Sequence, residues 1–171
     1  MKINRNFRTL YFLLVVLQII LCNYSNLGPY VMLSMLPAMV LCIPLSVGTP
    51  LCLLIAFVSG LSVDWLSEGL IGLNTSAILP VAVLRKPFIR MFIGEDLIVR
   101  NDNFSIHKNG FSKVFFALLT STALFLGLYI FLDGAGTRPF WFSAARFGAS
   151  FAANMILGLI VVNVLTGNEK K

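Results

Sequence analysis

Gly60-Leu61-Ser62-Val63-Asp64-Trp65-Leu66-Ser67-Glu68-Gly69-Leu70-Ile71-Gly72-Leu73-Asn74 sets two carboxylates and an amide between two apolar runs. An ionisable group near the hydrocarbon of a bilayer costs about 2 kcal/mol or more unless it is paired, wetted or moved to the interface. The stretch is therefore either the turn between two membrane crossings or the tip of a re-entrant hairpin. In both readings the remaining loops keep the same sides.

Working outward, hydrophobic residues make up 58% of the 171-residue chain and charged residues 12%. Soluble domains run at about 45–50% and about 25%. The chain reads as one integral membrane domain, all-α and polytopic, with nothing left over for a separate soluble part. Apolar runs cover 10–22, 30–45, 48–66, 70–84, 114–132 and 142–165, which predicts about six transmembrane helices in a compact bundle. The first and fourth are short for a bilayer of about 30 Å. Turn-rich punctuation separates them at Asn23 to Pro29, at Pro44 and Gly48-Thr49-Pro50, and at Asp133 to Pro139.

Six crossings place both termini, the turn after Leu45 and the connection 85–113 on one side. Eleven of the thirteen basic residues fall there, Arg85 among them, and only Arg138 and Arg146 fall opposite. The positive-inside rule makes that side cytoplasmic. Lys2, Arg5 and Arg8 precede the first run as in a signal peptide, but Ile19-Ile20-Leu21 before Cys22 supplies no small-residue cleavage site, which predicts an uncleaved helix. Arg85 to Ile93 mixes cations with large apolar side chains and reads as an interfacial segment against anionic lipid, followed by a solvated loop.

The net charge of +6 follows the membrane topology, and no accessible basic and aromatic stretch points to nucleic acid. His107 has no second histidine, and Cys22, Cys42 and Cys52 lie in three different runs. No metal site, cofactor or catalytic centre is expected from that inventory. Asp64 and Glu68 are one helical turn apart, and a structural role for Asp64 is preferred: capping the turn near Gly69 or pairing with Arg146. Gln18, Asn74, Asn154 and Asn163 need partners and read as interhelical glue. Ala144, Gly148 and Ala152 form a small-residue stripe, expected to serve internal packing, with a partner's helix as the alternative.

The run from Gly60 through Asp64, Gly69, Gly72, Leu73 and Asn74 to Ala77, closing on Arg85, resembles the central signature of the rod shape-determining MreD family, particularly versions from Bacteroides-like bacteria. The layout, the short basic N-terminus and a last helix opening near Arg146 are similar too. Leu70-Ile71-Gly72 stands where the family usually has a Pro-Leu-Gly-like turn. The resemblance covers about 26 residues and implies a non-catalytic subunit of the bacterial cell-elongation machinery. It implies work beside an MreC-like single-span protein, the actin-like MreB filament, a RodA-type glycosyltransferase and a class B penicillin-binding transpeptidase during peptidoglycan synthesis. That family in turn is similar to the substrate-binding subunits of energy-coupling-factor transporters, so a vitamin-type binding subunit is the rival expectation.

Overall fold

Proline sets where two of the helices begin. Pro37 and Pro50 each occupy a first turn, where the missing N–H has no helical partner to lose. The computed structural model describes residues 5–24, 30–68, 70–95, 104, 109–134 and 138–166, with no side chain described for residues 5, 6 and 68. The readings made for Gly69 and His107 lie outside the described residues. The helices are α1 (Arg5–Tyr24), α2 (Leu36–Leu41), α3 (Thr49–Val63), α4 (Leu73–Phe92), α5 (Phe111–Gly134) and α6 (Phe140–Thr166), and α3 runs on into a π-helical turn, Asp64–Glu68. The described residues form an all-α, multi-helix bundle.

Four stretches are long and apolar enough to cross a membrane: Phe7–Tyr24, Thr49–Ser67, Phe111–Gly134 and Phe140–Thr166. The second and fourth predicted spans come out differently. Residues 31–35 have no regular secondary structure, and only the six residues of α2 are helical before the chain turns at 42–47. Pro37 disfavours a helix there, since its ring would crowd the carbonyl of Leu33; α4 accommodates Pro80 and Pro87 within a continuous helix, so the side chains that take up the backbone of 32–35 matter as well. The fourth run does not stop at Leu84; α4 continues through Arg85 to Phe92. Its buried positions Asn74, Ile78, Val81, Arg85 and Ile89 recur every three or four residues, one continuous helical face. Arg85 therefore lies inside the bundle, not in a cytoplasmic connection, and Arg85–Phe92 is no separate interfacial piece.

Side-chain contacts sort the helix ends into two groups. At one end, here the cap end, Asn23 donates to Leu66 O, Asp64 meets the start of α4, and Asp133 at the end of α5 pairs with Arg146 in α6. At the opposite, basic end the rings of Phe92 and Phe116 stack at 6.3 Å, joining the end of α4 to the start of α5. The apolar core has two clusters, one holding Val63, Ala77, Val81, Phe125 and Tyr129 and the other Ile89, Phe104, Val114 and Leu165.

The α3–α4 contact is closest at Gly60. A Cβ built there would lie 2.9 Å from Thr75 Cα, a backbone atom that cannot swing aside. Gly60→Ala raises intrinsic helix propensity by about 0.8–1 kcal/mol, yet overpacking typically costs about 1–3 kcal/mol. The expected net result is a lower thermal midpoint in detergent. A raised midpoint would show that the two helices are not in tight contact.

Candidate functional site

Three groups of polar side chains link the elements of the bundle, and the first is built on Asp64. Gly60 brings α3 against α4, and one turn later Asp64, with no exposed surface, reaches the start of α4. Its Oδ1 accepts from Asn74 N at 2.8 Å and Asn74 Nδ2 at 3.1 Å. Its Oδ2 accepts from Gly72 N at 3.0 Å, Thr75 N at 3.1 Å and Thr75 Oγ1 at 2.6 Å. The carboxylate thus serves as a helix cap supplied from the preceding helix, taking backbone N–H groups that begin α4 and sitting at the positive end of its dipole. Gly72 turns the chain with φ +103°, in the left-handed region glycine enters most readily. Leu73 opens α4 and packs against the core cluster that holds Val63 and Ala77. The π-helical turn after Asp64 lets the chain leave α3 with Trp65 and Leu66 outermost.

The second group holds the broken crossing. Gln18 of α1, fully buried, donates from Nε2 to Leu33 O at 3.0 Å and accepts from Met35 N at 2.7 Å. Asn154 of α6 accepts from Ser34 N at 2.6 Å and donates to Met32 O at 2.8 Å, while Ser150, one turn earlier, accepts from Met32 N at 2.9 Å. Two amides and a hydroxyl thus do for residues 32–35 what a neighbouring strand would do. The carbonyl Gln18 takes is that of Leu33, the one that Pro37 denies to a helix.

Beyond α2 the same crossing is held by Arg85. Its guanidinium is buried, donating from Nη2 to Ile43 O and from Nη1 to Cys52 Sγ at 3.4 Å. A cation just past the C-terminal end of α2 complements that helix's dipole. No described carboxylate pairs with it, and Nε has no hydrogen-bond partner.

The third group lies at the cap end. Asp133 accepts from Arg146 and lies 3.2 Å from Arg138 Nη1, and Arg146 sits 5.9 Å from the centre of the Tyr129 ring. The alternative pairing of Arg146 with Asp64 is thereby corrected: the short α5–α6 connection puts Asp133 within reach, whereas Asp64 is taken up by α4. Beneath this cluster lies a cavity of about 280 Å³ lined by Leu33, Leu70, Leu73, Tyr129, Asp133 and Arg146.

Ala144, Gly148 and Ala152 are exposed, with nothing within 4 Å of a Cβ built at Gly148. The expected internal packing is corrected, because Ser150, Asn154 and Gly158 form the inward face of α6 and turn the stripe outward. Inside, a Cβ on Gly158 would meet Leu118 at 3.0 Å. Sequence reasoning had Gln18 and Asn154 as glue between helices and passed over Ser150; the available signal was Ser150 and Asn154 one turn apart, opposite an apolar run broken by Pro37. Among the described residues no three His, Cys, Asp or Glu side chains cluster as metal ligands would.

Asp64→Leu strips the acceptors from the start of α4, and each buried donor left unmade costs about 1–3 kcal/mol. Asp64→Asn keeps one acceptor oxygen and the shape. Folded yield after detergent extraction should fall far more for Leu than for Asn. Equal, normal yields for both would contradict the capping role.

No family model, curated protein or solved structure matches this chain. The fold and buried groups by themselves describe a polytopic, all-helical membrane protein.

Proposed function

We propose that the protein is a non-catalytic inner-membrane subunit of the bacterial cell-elongation machinery, bridging partner transmembrane proteins during peptidoglycan synthesis, with both termini in the cytoplasm. Two things support this reading. The residues that carry the resemblance are used in building the bundle: Asp64, Gly72, Asn74 and Arg85 join α3, α4 and the broken crossing. The observation that carries the proposal is on the surface. Ala144, Gly148 and Ala152 are an exposed stripe on α6, and its first residue, Ala144, lines a lateral groove of about 510 Å³ between α5 and α6 together with Gly127, Phe131, Gly134, Phe140 and Phe147. Small residues beside large aromatic ones let a second helix approach closely and give it something to pack on.

An MreC-like single-span protein fits that groove as partner. The actin-like filament would be met on the basic side, and the RodA-type glycosyltransferase and the transpeptidase within the membrane. Full-length protein extracted in detergent should bring down a single-span periplasmic protein. Gly148→Leu, at a position where an added Cβ has nothing within 4 Å, should keep folding and lose that co-purification together with rod-shape complementation. Retention of both would remove the α6 stripe at Gly148 from the interface.

A second reading, a vitamin-type substrate-binding subunit, has its own observation in the cap-end cavity with Asp133 and Arg146 in its lining. It requires co-purification with ATPases and a bound small molecule lost in Arg146→Ala. Capture of a single-span partner without ATPases favours the first.

A further inference from the structure

A crevice runs between α1 and α3. Of the four long apolar helices α1 is the least buried, and the crevice beside it, of about 380 Å³, is lined by Phe7, Tyr11, Ile43, Leu54 and Val58, with Arg8 also in the lining. We propose that this crevice seats one acyl chain of an anionic phospholipid whose phosphate is held by Arg8, an inference independent of the function proposed above.

Position and polarity support it. On α1 the lining runs from Phe7 to Val15, about 12 Å at 1.5 Å per residue, starting at the basic end. A single leaflet is about 15 Å deep, half the hydrocarbon core. The hydroxyls in the wall are already used: Ser59 lies 3.4 Å from Tyr11 Oη and 2.8 Å from Ile55 O, and Ser62 donates to Val58 O at 2.7 Å. The interior therefore asks for an apolar occupant that makes no hydrogen bonds. Arg8 is the one ionic group in the lining, is exposed, and has no ion pair among the described residues. One hydrocarbon chain, which needs no hydrogen-bond partner, enters such a crevice lengthwise with its headgroup at Arg8.

The test uses the full chain in lipid nanodiscs. Trp65 and Trp141, both exposed, are replaced by Phe, and Phe12→Trp places a reporter in the crevice lining. Quenching by brominated phosphatidylglycerol is compared with quenching by brominated phosphatidylcholine. The anionic lipid should quench at about fivefold lower mole fraction, the factor one basic residue supplies near an anionic surface. Arg8→Gln should bring the two curves together and Arg8→Lys should keep them apart. Coincident curves in the parent would mean ordinary boundary lipid and overturn the proposal. So would a preference that survives Arg8→Gln, or no quenching by either lipid, which would mean that another occupant fills the crevice. Size-exclusion profiles identical to the parent establish folding for each variant.

Discussion

An unpaired amide or carbonyl in hydrocarbon costs several kcal/mol, so irregular backbone survives at membrane depth only where protein covers it. The second apolar run, which passes from Tyr30 beside Ser150 to Ile43 beside Arg85, meets that constraint directly if it lies at membrane depth, as its burial between four membrane-length helices implies. Pro37 disfavours a continuous helix, and residues 32–35 would carry bare N–H and C=O groups without Gln18, Ser150 and Asn154. Because these side chains come from the first and last helices, the repair also ties the two ends of the sequence together around the interrupted segment. Arg85 extends the same logic beyond α2 by taking the carbonyl of Ile43. No described carboxylate pairs with that cation, and its hydrogen bonds go to Cys52 Sγ and to the Ile43 carbonyl just past the negative end of α2.

The second junction depends on backbone proximity. Gly60 allows α3 to touch α4, Asp64 caps α4, and the left-handed Gly72 aims the entering chain. Asp64 and Arg85 sit near opposite ends of the α3–α4 pair, so α4 is anchored by a carboxylate at its start and anchors the broken crossing farther along. A bundle fixed in this way from within leaves its outer faces free to differ. The α5–α6 groove and the α1–α3 crevice are two such faces, one edged by small residues and the other marked by a single arginine.

Much of this is legible in the sequence, for physical reasons that differ by residue. Asp64 stands out because a carboxylate between apolar runs needs a partner, and its capping of α4 answers that need. The broken crossing was hidden because an apolar run has the same composition whether it is helical or extended; Pro37 was the only local clue. Arg85 misled because a basic residue at the edge of an apolar run ordinarily marks the interface, and only the spacing Val81, Arg85, Ile89 shows that it shares the buried face. The stripe on α6 was identified but turned the wrong way, since small residues suit internal and external contacts equally. What decides its direction is the polar pair Ser150 and Asn154 on the opposite face, whose role depends on contacts some 120 residues away in sequence.

Amide hydrogen exchange in lipid nanodiscs, resolved at Met32, Ser34 and Met35, is the most direct measure of whether side chains of α1 and α6 hold an irregular segment inside the membrane. Those three amides should exchange as slowly as the buried amides of α5, and Asn154→Leu should speed exchange at Ser34 while leaving the middle of α5 unchanged. Rapid, loop-like exchange at all three in the native protein would contradict the account, as would slow exchange indifferent to the loss of Asn154.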